Sequence, residues 1–215
     1  VGIGISPAGY VTSGYALRLD GGTQTYLSFN NNTHTTQVLG GFIIGNDAGA
    51  ARITQRQNQP MIFSTNDTTA MTIAADGIVT KPYQPAFSAY ANTSETTGVN
   101  GIAPFDALIF DQGSNYTTST RRFTAPVAGI YQFSTYSNIN GVAAGGVMWC
   151  AFAVNNVYRG AYMYQIAPTS SWNLHGGTQT IKLAEDDYVQ VKSGTSMHWD
   201  LGNAAWSNFS GHLVG

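Results

Sequence analysis

The stretch that decides the fold of this chain reads Phe123-Thr124-Ala125-Pro126-Val127-Ala128-Gly129-Ile130-Tyr131-Gln132-Phe133-Ser134. Pro126 lacks a backbone N–H and ends a first strand, and Ala128-Gly129 provides the turn. Tyr131 and Phe133 then share one face of a second strand, because side chains alternate across a β-strand. The stretch therefore predicts two strands of an antiparallel sandwich.

Segments on both sides of this stretch follow the order and approximate spacing of a known family of folds. The pattern Phe-x-x-Pro-x-x-Gly-x-Tyr-x-Phe at 123–133 and the terminal Phe-Ser-Gly-x-Leu at 209–213 resemble the complement-type, tumour-necrosis-factor-like jelly-roll head. The resemblance covers roughly residues 84–215. One turn departs from the family, which usually has a Gly-Asp pair where this chain has Glu185-Asp186-Asp187.

The resemblance implies roles for the aromatic residues of this head. In a head of this type, the strands are committed to the core and to contacts within a trimer. We expect these roles for five aromatic residues: Tyr131, Phe133, Trp149, Phe152 and Phe209. The run 147–154 is apolar on both faces, and an antiparallel strand of this kind needs cover for its second face. We expect a subunit interface to provide that cover.

Composition also favours a symmetric assembly. Charged residues make up only 9% of the chain, against roughly 25% in ordinary soluble domains. Side chains that meet their own copies at a symmetry axis cannot carry like charges at low cost. A lectin-like sandwich of the secreted type is the alternative explanation of this composition.

Charge and cysteine content exclude several classes of function. The net charge is −2 and Arg121-Arg122 is an isolated pair, which we interpret as a solvated strand end, so we expect no nucleic-acid partner. No apolar run is long enough for a membrane span, so we expect no membrane insertion. The single cysteine, Cys150, lies in an apolar run, where we expect a buried structural thiol. The chain begins with Val1 rather than Met, and we expect it to be an ordered part of a longer or processed polypeptide, anchored by residues upstream.

The first 80 residues read as short strands separated by turn residues. Breaks such as Asn66-Asp67 and Asp76-Gly77 recur at roughly ten-residue spacing beyond Phe42. Each apolar triplet is too small to offset the ordering of its segment, which costs about 1 to 2 kcal/mol per residue. Three chains around one axis would supply the missing surface. The predicted strands are at 26–29, 41–44, 51–54, 61–63, 71–73 and 77–79.

Parts of this region resemble the fibres of tailed bacteriophages. The opening Val1-Gly2-Ile3-Gly4-Ile5-Ser6-Pro7, followed by a strand at 16–19, resembles a short element of those fibres. The runs 59–66 and 71–79 resemble their β-rich stem segments. Two prolines, Pro82 and Pro85, then interrupt the short-strand pattern. The sequence therefore predicts an all-β chain with a fibre stem and oligomerisation segment at 1–80 and a jelly-roll head at 81–215, assembled as a homotrimer.

The sequence gives no constellation for catalysis. The four histidines lie far apart and no second cysteine is present, so no zinc site is expected. Glycoside cleavage needs paired carboxylates, and the only clusters are Asp106 with Asp111 and the run Glu185-Asp186-Asp187. Acids in such turns are commonly turn formers. The run 185–187 is also the one candidate for binding Ca²⁺. Some, but not all, members of the resembled family bind this ion.

These observations predict a non-enzymatic virion protein, a trimeric phage fibre exposed on the particle surface. A trimeric capsid decoration or cement protein and a secreted lectin-like binding module remain the alternatives. The expected partner is a bacterial surface glycan, or else an outer-membrane protein, bound by loops at the exposed end of the head. Aromatic rings offer apolar faces to sugar C–H groups, and polar neighbours bond the hydroxyls. The candidate receptor residues are Trp172, His175, Trp199, Asp200 and Trp206, with Asn173, Asn203, Tyr116 and Tyr162 near them.

Overall fold

The computed structural model describes residues 23–29, 41–168, 172–200, 202 and 204–215 and, within them, every side chain except those of Tyr162 and Asp200. The fibre-like opening at 1–7 and the strand predicted at 16–19 lie outside the described residues. All regular elements in the described ranges are β-strands, so the all-β prediction is confirmed. No described segment is a helix that could cross a bilayer. The chain divides into two compact units, Val1–Pro82 and Tyr83–Gly215, called here the stem unit and the C-terminal unit.

The described part of the stem unit forms two small antiparallel sheets with the strand orders β1-β2-β3 and β4-β5-β6. Asn66 and Asp67 join β4 to β5 with φ of 48° and 55°, the left-handed conformation of a type I′ hairpin turn that Asn and Asp tolerate. The strands are β1 (Gln24–Phe29), β2 (Phe42–Asp47), β3 (Ala50–Gln55), β4 (Met61–Thr65), β5 (Thr68–Ile73) and β6 (Val79–Thr80).

One face of the first sheet carries an exposed row of aliphatic side chains. Ile44 pairs with Leu27 on one side and with Ile53 on the other, so the three side chains share a face. Leu27 and Ile44 are each 43% exposed, and Ile53 is 58% exposed. The row Leu27, Ile44 and Ile53 is called the apolar row below. In the single chain, about half of the surface of this apolar row is therefore exposed.

The C-terminal unit is a sandwich of two antiparallel sheets. One sheet has the order β10-β11-β16-β13-β14. In the other, β12 pairs with β15 along one edge and with β18 and β17 along its opposite edge. The strands are β7 (Ala86–Tyr90), β8 (Glu95–Thr97), β9 (Ala107–Gln112), β10 (Tyr116–Thr117), β11 (Arg122–Thr124), β12 (Gly129–Asn140), β13 (Val147–Val154), β14 (Val157–Ile166), β15 (Asn173–Leu183), β16 (Tyr188–Ser193), β17 (Met197–Asp200) and β18 (Ser207–Leu213).

The stretch 123–134 crosses from one sheet to the other. Phe123 lies in β11, and the strand that begins at Gly129 belongs to the second sheet. The hydroxyl of Tyr131 donates to the carbonyl oxygen of Val127 at 2.8 Å, which fixes the crossing. The stretch therefore links the two layers of the sandwich rather than forming a hairpin within one of them.

Aromatic rings fill the space between the two sheets. The Phe87 ring stacks on those of Tyr116 and Phe123 at 4.9 and 5.0 Å, and meets the Phe209 ring edge-on at 5.0 Å. Tyr131, Phe133, Phe152 and Phe209 are fully buried within the single chain. These four residues of the predicted core and interface set thus lie in the core, where no second chain can contact them.

The outer face of the doubly apolar strand β13 is partly covered within the single chain. Its outward residues Ala151 and Ala153 are already 0% exposed in the single chain, although we expected a subunit interface to cover them. The indole of Trp149 packs on the ring of Tyr158 at 5.0 Å, and Gly194 lies so close to that indole that no Cβ would fit. The hairpin partner β14 and the turn after β16 therefore cover part of this face, while Val147 and Trp149 stay partly exposed. A subunit interface over these two residues stays a prediction.

Candidate ligand-binding site at the end of strand β12

The pairing of β12 brings distant parts of the chain to one end of the sheet. Ile139 pairs with Asn173 at the start of β15 and also with Trp199 in β17. Ser137 pairs with Ser207 at the start of β18. Trp172 directly precedes β15 and Trp206 directly precedes β18. Both tryptophans therefore lie at the same end of the sheet, although they are far apart in the sequence.

Trp172 is held against the sheet by a histidine. The two ring centroids of Trp172 and His198 are 5.9 Å apart. The His198 ring is fixed in turn by a hydrogen bond of 2.8 Å between its Nδ1 and the hydroxyl of Thr96. Asn140 pairs with His198 across the strands, so its amide lies beside these groups on the same face. Trp172 remains 44% exposed, which leaves much of its indole open to a ligand.

Trp206 is held at the same end by the backbone. The amide N–H of Asn138 donates to the carbonyl oxygen of Trp206 at 3.0 Å. The hydroxyl of Tyr136 donates to the carbonyl oxygen of Ala204 at 2.8 Å. These two bonds attach the turn before β18 to the surface of β12, while the Trp206 residue stays 50% exposed.

These residues form one exposed surface, called here the β12-end patch and defined by Tyr136, Trp172, Leu174, His198 and Trp206. Leu174 is exposed and pairs with Asn138, whose side chain shares its face. The patch combines apolar ring and aliphatic surface with the neutral amides and hydroxyls around it. Such a surface suits a ligand with both C–H faces and hydroxyl groups, as a sugar has.

Two of the candidate receptor residues lie elsewhere. Trp199 is 0% exposed in β17, where its Nε1–H donates to the hydroxyl of Thr97 at 2.7 Å, so Trp199 is a core residue and not a loop contact. His175 lies within β15 rather than in a loop, and it shares the inward face with Ile181 and Leu183. Burial lowers the pKa of His175, so its ring is neutral at neutral pH.

Of the remaining candidate receptor residues, Tyr116 is in the core, and the others have side chains that the structure does not describe. The backbone of Asp200 pairs with Asn138, but its side chain, like that of Tyr162 and the whole of Asn203, lies outside the described residues. Tyr116 is buried in the core, and its hydroxyl donates to the carbonyl oxygen of Phe105 at 2.7 Å. Tyr136 and Leu174 were not predicted from the sequence as site residues. Their only sequence signal is that each alternates with inward-facing residues of its own strand.

The paired acids of the C-terminal unit serve as turn formers. The carboxylate of Asp111 accepts hydrogen bonds from the backbone N–H groups of Asn115 at 3.1 Å and Tyr116 at 2.9 Å. Asp106 accepts from the backbone N–H of Asn92 at 2.8 Å. Both carboxylates therefore hold loops in place.

The turn at 185–187, the candidate for Ca²⁺, is held by hydrogen bonds to Asp187. One Asp187 oxygen accepts from the backbone N–H of Ala184 at 2.8 Å and the other from the amide of Asn155 at 2.6 Å. These hydrogen bonds lower the pKa of Asp187. Asp186 takes φ of 67°, the left-handed position that glycine favours. Among the described residues, no group of three His, Cys, Asp or Glu side chains could hold a metal ion.

Comparison with known families identifies the C-terminal unit. Residues 86–214, more than half of the chain, match the family model of the C1q domain. The chain belongs to the C1q domain family. This match confirms the resemblance of the head to a complement-type jelly roll. Domains of this kind are typically non-enzymatic binding modules and are often trimeric.

Several solved structures match 61% of this chain. The globular domain of a zebrafish complement 1qA protein matches over 98% of its own chain, with 17% identity and a TM-score of 0.49. Murine APRIL at pH 5.0 matches over 99% of its chain, with 10% identity and a TM-score of 0.49. The Eiger TNF from S. frugiperda matches over 94% of its chain, with 13% identity and a TM-score of 0.47.

Proposed function

We propose that this chain is a non-enzymatic structural protein of a bacteriophage particle, a homotrimeric fibre whose C1q domain binds a glycan on the host surface. The observation that carries the proposal is the β12-end patch. Trp172 and Trp206, held by His198 and by the backbone of Asn138, lie half exposed at one end of the sheet. The Trp172 ring packs against that of His198, and the backbone of Trp206 is anchored to β12, so ordering these residues costs little conformational entropy when a ligand binds.

The chemistry of the patch favours a saccharide over a protein ligand. An indole face packs against sugar C–H groups, while Asn140 and Thr96 offer amide and hydroxyl groups for sugar hydroxyls. An outer-membrane protein is the second candidate partner. The two candidates are distinguished by measuring adsorption to host cells treated with periodate, which oxidises the vicinal diols of sugars, and to host cells treated with a protease. Loss of binding after periodate alone supports the glycan.

The homotrimer is supported by the stem unit. Its apolar row is exposed in the single chain, and burying this surface between copies would stabilise an assembly. The low charge of the chain agrees with contacts between identical copies. The resemblance of runs 59–66 and 71–79 to phage stem segments supports the proposal that the assembly is a fibre on the virion surface, joined to other virion proteins.

The binding site is tested by Trp172→Ala and Trp206→Ala, each measured for thermal unfolding and for adsorption to host cells. We expect at least a tenfold loss of adsorption at unchanged melting temperature, because both side chains are half exposed and contribute little to the core. Trp199→Phe is the matched control, since this tryptophan is buried. It should lower the melting temperature, and adsorption of its folded fraction should be normal. Normal adsorption by both alanine variants would refute the site.

The location of the protein is tested separately by immunogold labelling of intact particles. We expect label on the fibres. Label confined to the shell would identify a capsid decoration protein, and no label on any particle would identify a secreted lectin-like module. Both of these outcomes contradict the fibre proposal while leaving the binding site open to the first experiment.

A further inference from the structure

A pocket opens on the outer face of the β10-β11-β16-β13-β14 sheet of the C1q domain. It lies where β11 runs beside β16, as the pairing of Thr124 with Tyr188 shows. Its volume is about 350 Å³, and its lining includes Thr120, Arg122, Tyr188 and Gln190. The pocket shares no residue with the β12-end patch.

Arg122 is held in a fixed orientation in this pocket. Its guanidinium carbon lies 4.8 Å from the centroid of the Tyr188 ring, and its Nε–H donates to the hydroxyl of Thr120 at 2.9 Å. The amide of the buried Gln190 donates to the carbonyl oxygen of Thr120 at 2.7 Å, which fixes that residue in turn. No described residue accepts a hydrogen bond from the two Nη groups of Arg122.

The charges around the pocket are unbalanced. Arg121 is neutralised by Glu95, to which both of its Nη groups donate. Arg122 has no such partner, and no described carboxylate lies within ion-pair distance of it. The ammonium group of Lys192 lies 3.4 Å from the side-chain oxygen of Asn156, a residue of the pocket wall. Arg122 therefore lines the pocket without an acidic partner among the described residues, and Lys192 adds a second positive charge next to the wall residue Asn156.

We propose that this pocket binds the carboxylate of an acidic saccharide. The Nη edge of a guanidinium presents two parallel donors that match the two oxygens of a carboxylate. Thr120, Asn156 and Gln190 supply neutral polar groups for the hydroxyls of the same ring. A volume of about 350 Å³ suits a small ligand such as one sugar unit. This inference does not depend on the virion role.

The test titrates methyl β-D-glucuronide into the full chain and follows the Nε–H signals of the arginines by NMR. Methyl β-D-glucoside, which lacks the carboxylate, is the ligand control. We expect the glucuronide to shift the Arg122 signal and to bind at least tenfold more tightly than the glucoside. Arg122→Gln should weaken glucuronide binding at least tenfold. Lys182→Gln removes an exposed cation from the other sheet and should leave binding unchanged.

A second variant keeps the test decisive if Arg122→Gln does not fold. Asn156→Asp places a negative charge on the pocket wall without altering Arg122, and Asp tolerates the φ of 66° found there. We expect it to weaken glucuronide binding at least fivefold. The proposal is overturned if glucuronide binds no more tightly than glucoside, or if the folded variants bind it as the parent does. It is also overturned if inorganic phosphate binds more tightly than glucuronide and displaces it, which would indicate a phosphate site.

Discussion

Replacing Ile53 by Ser tests whether the exposed stem surface holds the trimer together. Full burial of an isoleucine side chain is worth about 2 kcal/mol. Ile53 is 58% exposed in the single chain. Burying this exposed part in the trimer would therefore contribute about 1.2 kcal/mol per chain, or about 3.5 kcal/mol per trimer, to the free energy of association. A loss of that size lowers the overall association constant about 400-fold. Because the midpoint concentration of a monomer–trimer equilibrium scales with the inverse square root of this constant, the midpoint should rise about 20-fold.

The assay is sedimentation equilibrium over a concentration series, with fluorescence detection to reach low concentrations. Val99→Ser is the matched control, because Val99 is an exposed aliphatic residue of the C1q domain outside the apolar row. It should leave the midpoint within about twofold of the parent. A parent chain that is monomeric at micromolar concentration refutes the reasoning. So does an Ile53→Ser midpoint that shifts less than about twofold, or a Val99→Ser shift of equal size.

Three further predictions concern the C1q domain. Trp199→Phe should destabilise it by about 2 kcal/mol in urea unfolding, because the hydroxyl of Thr97 loses its buried donor; a change below about 0.5 kcal/mol would contradict its place in the core. Asp186→Gly should stabilise it by up to about 1 kcal/mol, because glycine adopts the left-handed φ without steric cost, and a loss of stability would contradict that account. The pKa of Asp187 is lowered on folding, so its contribution is present above its unfolded pKa and lost as pH falls through the lower folded value. Asp187→Asn should therefore reduce stability at pH 7 and flatten its decline below about pH 4, and an unchanged pH profile of thermal unfolding would contradict this.

Alternation of side chains predicted the layers of the sandwich but not which face of each strand is buried. The sequence shows that His198 and Trp199 point to opposite faces, as they do in β17. The pairing of Trp199 with Ile139, whose side chain is inward and buried, decides which of the two enters the core. That pairing is a long-range contact, and no local pattern encodes it.

Glycine misled the prediction at the start of β15. The pair Gly176-Gly177 reads as part of a loop, yet both residues pair with β12. A Cβ at Gly176 would lie 2.9 Å from the Cβ of Tyr136 and 2.6 Å from the carbonyl oxygen of Thr135. The glycine is therefore required by close approach of the neighbouring strand and not by a turn. His175 consequently lies in a strand, with its ring inward.

The β12-end patch was predictable only in part. Exposed tryptophans in the late loops were expected, and Trp172 and Trp206 occupy such positions. Their proximity depends on the order of strands around β12, with β17 and β18 following each other along one edge. The packing over the outer face of β13 could not be predicted either, because it depends on Tyr158 and on register shifts within the β13–β14 hairpin.

In the proposed fibre, trimer assembly would strengthen host binding because each trimer carries three binding sites. A shallow aromatic patch that contacts one or two sugar rings binds weakly by itself, because most of the interaction energy offsets the loss of ligand freedom. Three patches on one trimer bind a repetitive surface with an avidity that exceeds the single-site affinity by about 10² to 10⁴. If the fibre proposal holds, the apolar row should matter for adsorption as much as Trp172 and Trp206 do, because it would hold the three patches together. A trimer weakened at Ile53 should adsorb poorly at concentrations below its raised midpoint and normally above it, whereas a chain altered at Trp172 should adsorb poorly at every concentration.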